Sequence, residues 1–163
     1  MKKNKIFTIL AMIVMAGSFV LTGCFGPTEK VFEADGIKIV ATSAFYEKEH
    51  ISFNLYLQSN DALIAALKEE KSLLNADDLN EYTSLIITAN NLTGTTYESF
   101  DEEEIVFNHF YYEKTVSGKN FSYLAVTKEG QDYFYLFNFA CEKNNYENYE
   151  ETFLDWAKKL EVA

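Results

Sequence analysis

Hydrophobic and polar residues alternate along much of the chain after residue 30, a pattern typical of strands with one buried face. Two short extended runs, 31–34 and 37–40, flank Asp35-Gly36, a dipeptide that favours a tight hairpin turn. The run 51–57 alternates apolar and polar residues and predicts a further strand. The run 62–68 fits a strand or a helix, and its shortness after a polar turn favours a strand. The first part of this region is therefore expected to be β-structure.

A change to helical spacing predicts the first helix, between residues 75 and 91. Its expected buried stripe consists of apolar side chains that recur three or four residues apart: Leu79, Tyr82, Ile86 and Ala89. Either Asn75 or Asp77 is suited to cap its N-terminus, and acidic residues in the first turn favour the helix dipole. Asn90-Asn91 is expected to end it.

A second helix is predicted near the end of the chain, from Asn148 onwards. Asn148 is expected to cap it, with Glu151 reaching back as in a capping box. The expected inward face consists of four apolar residues at helical spacing: Phe153, Trp156, Ala157 and Leu160.

Between the two helices, three long extended runs predict an antiparallel meander: 105–116, 121–127 and 132–142. Short polar turns that contain glycine join them. The run 133–141 is apolar at both odd and even positions, which is typical of a strand in the middle of a sheet with layers on both sides. With one helix for each side, the sequence predicts an α+β fold, a three-layer α/β/α sandwich with a mainly antiparallel sheet.

The N-terminus has a different pattern from the rest of the chain. Lys2, Lys3 and Lys5 precede an almost wholly apolar run, 6–21, and small residues follow it. A basic segment, an apolar segment and small residues at the end describe a secretory signal. The apolar run is shorter than the roughly 20 residues that a helix needs to span a bilayer. Residues 1–23 are therefore predicted to be a signal peptide.

Leu21-Thr22-Gly23-Cys24, directly behind that signal, resembles the lipobox of bacterial lipoproteins. The resemblance implies thioether attachment of diacylglycerol to the Cys24 sulfur and cleavage between Gly23 and Cys24. We expect a lipidated tether at 24–29, a single domain at 30–163, and an extracytoplasmic protein anchored to the bacterial cell membrane through the lipid on Cys24. The alternative is an ordinary secreted or N-terminally anchored protein with an incidental cysteine.

Charge and cysteine content narrow the classes of partner. The chain has 14 basic and 25 acidic residues and no arginine, for a net charge of −11, and removal of the signal would take three lysines with it. So acidic a chain is not expected to bind nucleic acid. Anionic lipid headgroups would also repel it. An attached lipid, rather than a basic patch, is therefore expected to hold the protein at a membrane. With Cys24 lipidated, Cys141 remains alone, and no intramolecular disulfide is expected.

Towards its end the chain has a set of aromatic and apolar residues: Tyr135-Leu136-Phe137-Asn138-Phe139-Ala140-Cys141, Tyr146, Phe153, Trp156-Ala157 and Leu160. This set looks like the C-terminal signature of PsbP-like domains, a superfamily that includes the photosystem extrinsic subunit and Mog-type Ran-binding proteins. The resemblance covers roughly residues 30–162. The strand at 63–68 and the helix at 79–91 also lie where that fold has them. The resemblance implies a fold and a non-enzymatic, protein-binding role, and it carries over no functional residue.

Residues able to carry chemistry are few, and no catalytic, cofactor or metal site is predicted. His50 lies in a polar turn and is expected at the surface, while His109 lies in a strand among aromatic residues and is expected to be packed. Cys141 is expected to be a buried, inert thiol. The acidic run Asp101, Glu102, Glu103 and Glu104 lacks the spacing and glycine of a calcium loop, so a solvated loop is expected, with weak cation binding left open.

Tyrosine is the remaining signal, with 11 residues in the chain. Tyr111-Tyr112, Tyr146 and Tyr149 lie near predicted element ends, where an apolar ring with a polar tip suits an interface. The simpler interpretation is that such rings complete the core of the sheet.

These observations favour a lipid-anchored module that binds another envelope protein or ligand and does no chemistry. The first alternative is a small envelope hydrolase that uses His109 with Cys141 or a carboxylate. The second is a small-solute receptor, although one short domain lacks the two-lobed closure that such receptors use.

Overall fold

The computed structural model describes residues 28–163, so the predicted signal, lipobox and most of the tether lie outside the described residues. In chain order the elements are β1 (Glu29–Ala34), β2 (Ile37–Thr42), β3 (Tyr46–Glu47), β4 (Leu55–Gln58), β5 (Ala62–Glu70), α1 (Leu79–Ala89), β6 (Glu98–Glu102), β7 (Ile105–Val116), β8 (Lys119–Glu129), β9 (Tyr133–Glu142), α2 (Tyr146–Lys158) and β10 (Glu161–Val162). The strands form a small sheet in the order β1-β2-β10 and a large one in the order β3-β4-β5-β9-β8-β7-β6.

The predicted hairpin is confirmed and forms most of the small sheet. Ala34 pairs with Ile37, and the two residues between them have positive φ values, 51° at Asp35 and 80° at Gly36. Such a turn needs left-handed backbone at both positions, which aspartate tolerates and glycine prefers. The third strand, β10, pairs with β2 and was not predicted, because two residues carry no periodicity.

Strand β9 lies in the middle of the large sheet, as its two apolar faces predicted. It pairs antiparallel with β5 on one side and β8 on the other. The pairing with β5 runs from Ala62 to Glu70, which confirms that the ambiguous run 62–68 is a strand. The predicted meander β7-β8-β9 is also confirmed, with Ser117-Gly118 at the first turn.

The two faces of the large sheet pack against different elements. Tyr135, Phe137 and Phe139 point to one core with Phe153 and Trp156 of α2. We call that side the α2 face, and its core also contains Phe32, Ile37 and Ile39 of the hairpin. On the other side, the α1 face, Phe134 and Leu136 pack with Leu79 and Tyr82 of α1. The fold is a mostly antiparallel sheet with two helices, and the α2 side holds a second sheet that the predicted sandwich left out.

The first helix is shorter than predicted, and neither Asn75 nor Asp77 caps it. The cap is Asp78, whose side-chain oxygen accepts a hydrogen bond of 2.9 Å from the backbone N–H of Glu81. The Glu81 carboxylate in turn accepts from the backbone N–H of Asp77 at 2.8 Å. At the other end Ala89 is exposed, so the inward stripe ends one turn earlier than the spacing indicated.

The second helix begins before the predicted cap. A short 3₁₀ turn, Lys143–Asn145, leads directly into α2, so Asn148 lies inside the first turn and Asn145 is the N-cap without a side-chain bond. The predicted inward residues are all buried, although Leu160 lies beyond the helix end. Neither helix in the described part of the chain is long and apolar enough to span a membrane.

Two further predictions on the strands were wrong in part. Within 51–57 only the second half is strand, because the backbone N–H of Phe53 bonds the carbonyl of His50 in a turn that leaves Ile51 fully exposed. The acidic run is not a loop. Asp101 and Glu102 end the edge strand β6, and Glu103-Glu104 form the turn into β7, with φ values of 50° and 71°.

The correction of the α1 cap gives a direct test. We expect Asp78→Ala to lower the free energy of unfolding by about 1 kcal/mol, because it removes the acceptor for a helix N-terminal amide. Asp77→Ala is the matched control: Asp77 contributes its backbone N–H, which alanine retains, so we expect a change of no more than a few tenths of a kcal/mol. Urea denaturation followed by circular dichroism measures both. Equal losses for the two variants would contradict the assignment.

Candidate functional site

The lipobox residues Leu21, Thr22, Gly23 and Cys24 lie outside the described residues. What the structure describes is the point where the chain continues from them. The Thr28 carbonyl accepts a hydrogen bond of 2.6 Å from the backbone N–H of Ser43, and β1 begins at Glu29. The first strand that the structure describes therefore begins five residues after Cys24 in the sequence.

Cys141 lies on the α2 face, as its alternation with Phe139 predicted, and its exposed fraction is 2%. It is not in a disulfide. Burial raises the pKa of its thiol to about 11, because the thiolate would lose its solvation. A thiol with that pKa is protonated near neutral pH and is a poor nucleophile. The predicted buried, unreactive cysteine agrees with this environment.

His109 is also on the α2 face, near the edge of the sheet. Its ring centroid lies 5.8 Å from that of Phe107, and its Nε2 lies 4.0 Å from a carboxylate oxygen of Glu98. Burial lowers the pKa of the imidazole, and the negative charge of Glu98 acts in the opposite direction. The side chain is 18% exposed, so the prediction of a packed imidazole holds in the main.

The structure does not bring His109 and Cys141 together. Across β7, β8 and β9, His109 is level with Val126 and Phe137, and Cys141 is four residues further along β9. At about 3.3 Å per residue this offset alone is roughly 13 Å, with two strand spacings in addition. A Cys–His pair would need contact within hydrogen-bond distance. The geometry therefore removes the support for the hydrolase built on these two residues.

His109 does lie in a surface depression of about 450 Å³. Its walls include Glu98, Tyr111, Tyr146 and Glu150, and the Tyr111 and Tyr146 rings lie 4.9 Å apart. Burial raises the pKa of the Tyr146 hydroxyl, so it stays protonated. Within residues 28–163 His109 makes no hydrogen bond to a hydroxyl or thiol that it would activate. The remaining alternative pairs His109 with a carboxylate, and the Glu98 carboxylate is its neighbour at 4.0 Å.

The acidic run does not form a cation site. Asp101 and Glu102 are consecutive residues of β6 and so point to opposite sides of the strand, and Glu103-Glu104 form the following turn. Among residues 28–163 there is no group of three or more histidine, cysteine or acidic side chains arranged to hold a metal ion.

His50 is exposed, as predicted, but it belongs to an aromatic group that the sequence did not reveal. Its ring lies 4.6 Å from Phe53 and 5.1 Å from Tyr56. Phe53 and Tyr56 are stacked at 5.8 Å. This group stands at the β4 side of the α1 face, beyond the region that α1 covers.

A second aromatic group lies across the same face. Tyr112 on β7 and Tyr123 on β8 are stacked with centroids 4.6 Å apart and planes 8° apart. The Tyr112 hydroxyl donates to the Asn138 side-chain oxygen on β9 at 3.0 Å. We call this part of the sheet surface the tyrosine face. It is formed by six partly exposed side chains: Tyr56, Leu63, Tyr112, Phe121, Tyr123 and Asn138. Tyr112 also packs against the α1 core and so lies at the border with the covered region.

The tyrosine face was missed because its members come from five strands that are distant in sequence. Alternation shows which residues of one strand share a side, but not which side it is in the assembled sheet. The available signal was the number of aromatic residues in the meander; the pairing register is needed to bring Tyr56 and Tyr123 to the same face.

Comparison with solved structures identifies the class of fold. The chain is similar to the solution structure of cyanobacterial PsbP from Synechocystis sp. PCC 6803, with a TM-score of 0.60 over 91% of this chain and 99% of that one, at 14% identity. It is also similar to a crystal structure from Bacteroides thetaiotaomicron VPI-5482, with a TM-score of 0.52 over 78% of this chain and 45% of that one, at 13% identity. The fold is therefore PsbP-like, as the resemblance predicted.

At such low identities the similarity extends to the fold alone. No family model matches the chain, and no curated protein matches it. The Mog-type part of the resemblance stays a prediction.

The environment of His109 gives a test of the electrostatics of the depression. Burial should hold the imidazole pKa below its usual value of about 6.5, and Glu98→Gln should lower it further by removing a charge that favours the imidazolium. NMR titration of the ring protons measures this, with His50→Gln used to assign the signals.

The lowered pKa of His109 also determines how its contribution to the free energy of unfolding changes with pH. The unfolded chain binds the proton more tightly than the folded one, so the contribution of His109 is present above the unfolded pKa and is lost as the pH falls below it. A wild-type pKa above 6.5, or a rise in Glu98→Gln, would contradict the assignment.

Proposed function

We propose that the protein is a lipid-anchored extracytoplasmic module that binds an envelope component and does no chemistry. The observation that carries the proposal is Leu21-Thr22-Gly23-Cys24 behind a complete signal and five residues before the first strand. In this proposal residues 1–23 are removed and the Cys24 sulfur carries diacylglycerol. Two acyl chains give stable anchoring, since each buried CH₂ contributes about 0.8 kcal/mol.

The short connection supports a body held close to the bilayer. Five residues span at most about 17 Å when fully extended. The strand that receives the tether, β1, belongs to the layer on the α2 face, because Phe32 packs in that core. The tyrosine face is on the other side of the large sheet. In this arrangement the domain is a three-layer body whose anchored layer and uncovered aromatic surface are opposite one another.

The non-catalytic role is supported by the residues that chemistry would need. The buried thiol of Cys141 has a raised pKa and lies two strands away from His109 and four residues further along the sheet. A PsbP-like fold, known here from a cyanobacterial PsbP, agrees with an extrinsic binding role. The uncovered tyrosine face is the surface on which we expect binding, because partly exposed tyrosine rings are enriched at interfaces.

Metabolic labelling tests the anchor. We expect the full chain expressed in a bacterial host to incorporate labelled palmitate and to remain with membranes after a high-salt wash. Cys24→Ser should abolish the label, and Cys141→Ser, which removes the other cysteine, should keep it. An unlabelled wild-type protein that is recovered in the soluble fraction would overturn the proposal.

A further inference from the structure

We infer that one edge of the large sheet rests on the bilayer surface, where the side chains of Tyr46 and Ile51 enter the lipid interface. We call it the β3 edge, formed by β3 and the turn that follows it, residues 46–53. The inference rests on the proposed lipid anchor at Cys24 and adds which surface of the domain meets the lipid. The length of the tether, the exposure of two apolar side chains and the distribution of charge carry it.

The tether brings the domain to the bilayer at a fixed point. Thr28 follows Cys24 by four residues, which span at most about 14 Å when fully extended. The Thr28 carbonyl is held by the backbone N–H of Ser43 at 2.6 Å. Tyr46 comes three residues after Ser43, so it lies no more than about 10 Å from that contact. The β3 edge is therefore the part of the large sheet that lies nearest to the proposed anchor along the chain.

This edge presents two exposed apolar side chains. Tyr46 is 46% exposed on β3, and Ile51 is fully exposed. Ile51 lies in a turn closed by a hydrogen bond of 3.3 Å from the Phe53 N–H to the His50 carbonyl. One exposed apolar residue on a protein surface is common and needs no explanation. Two on the edge that adjoins the tether indicate a surface suited to the lipid interface.

The turn that carries Ile51 is held by packed rings. The His50 ring lies 4.6 Å from the Phe53 ring, and His50 Nδ1 accepts a hydrogen bond of 3.2 Å from the backbone N–H of Ser52. These contacts support the turn from the protein side and leave Ile51 on its outer side. A side chain presented in this way loses little backbone freedom when it enters lipid, which favours insertion.

The polar neighbours of Tyr46 also suit the headgroup layer. Lys48 follows two residues later on the same side of the strand, with its Nζ 5.3 Å from the Tyr46 ring centroid. Tyrosine is enriched at membrane–water interfaces, and a lysine stem can lie along apolar groups while its ammonium stays among the headgroups. Glu47 pairs with Leu57, which belongs to the α2 core, so its carboxylate lies on the other side of the strand.

The distribution of charge favours this edge over the rest of the surface. The opposite edge is β6, and five of the seven residues 98–104 are acidic. The segment 46–53 has only two acidic residues and one lysine. Anionic headgroups therefore repel the β6 edge most strongly. They also repel the solvent side of α2, which carries four exposed acidic residues: Glu147, Glu150, Glu151 and Asp155.

The outer side of the small sheet is a second surface close to the tether. It offers one exposed apolar side chain, Val31, which is 50% exposed and alternates with the buried Phe32. Glu29 and Glu33 share the side of β1 on which Val31 lies. Acidic residues on both sides of a single valine make this surface the poorer match for lipid. The observations favour the β3 edge, and the small sheet becomes an outcome of the test.

Tryptophan fluorescence in brominated vesicles tests the inference. The full lipid-modified chain would be reconstituted into phosphatidylcholine vesicles whose brominated acyl chains quench tryptophan on contact. Trp156 is only 6% exposed, so the wild type supplies the background emission. We expect Ile51→Trp and Tyr46→Trp to lose a larger fraction of their emission than the wild type. The added emission of Ile51→Trp should also shift to shorter wavelength when the vesicles are present.

Val106→Trp is the matched control. Val106 has the same exposed fraction as Tyr46, 46%, but it lies on β7, five strand spacings from β3. At about 4.8 Å per spacing it stands roughly 24 Å from the β3 edge, so we expect no quenching beyond that of the wild type. Equal quenching of Val106→Trp and Ile51→Trp, quenching of Val31→Trp in place of Ile51→Trp, or no added quenching of Ile51→Trp would each overturn the inference.

Vesicle flotation separates this result from the proposed anchor. A wild-type chain that does not float with the vesicles overturns the anchor, and the inference with it. A chain that floats while Ile51→Trp is not quenched overturns the inference alone. Circular dichroism identifies any variant that fails to fold. Because Ile51 is fully exposed, Ile51→Trp remains a valid test if Tyr46→Trp does not fold.

Discussion

The burial of β9 on both faces is the constraint on which the rest of the structure depends. Its odd-numbered aromatics belong to the α2 core, and Phe134 and Leu136 belong to the α1 core. Each fully buried aromatic contributes roughly 1.5–3 kcal/mol relative to an exposed one, and both faces need cover to gain it. One strand therefore requires two layers. That requirement fixes α2 and the hairpin on one side and α1 on the other.

The two layers meet this requirement unequally. The α2 face is covered by a helix of 13 residues together with the small sheet, whereas the α1 face has one helix of 11 residues. Where α1 ends, the sheet face changes first to alanines flanked by tyrosines. Charged residues follow only beside Phe121, where Lys114 and Glu142 lie on the same face. A tyrosine covers its neighbour with its ring and keeps its hydroxyl in water, so the uncovered region is shielded without a further element.

Much of this fold follows from the sequence, and the parts that do not have a common physical reason. The hairpin at Asp35-Gly36, the strand at 62–68, the meander and the central position of β9 are local or periodic features that pattern analysis captures. The missed elements, β6 and β10, are short edge strands whose pairing defines them. The capping residue of α1 has a similar explanation. Asp77 and Asp78 are adjacent, and which of them becomes the cap depends on the residue at which the helix begins. That start depends on tertiary packing, in which Tyr82 of α1 stacks on Phe134.

The same reasoning explains why the candidate chemistry was easy to dismiss and the candidate binding surface hard to find. His109 and Cys141 are single residues whose surroundings can be inferred from their own strands, and the structure gives them the packed positions expected there. The tyrosine face, in contrast, depends on the pairing register of several strands. Tyr56 and Tyr123 are brought to the same side of the sheet only by the pairing of their strands with β5 and β9. In a fold whose centre is filled by packing, the surfaces open to a partner are on the outside of the sheet. They belong to the assembled strands rather than to any one segment of the sequence.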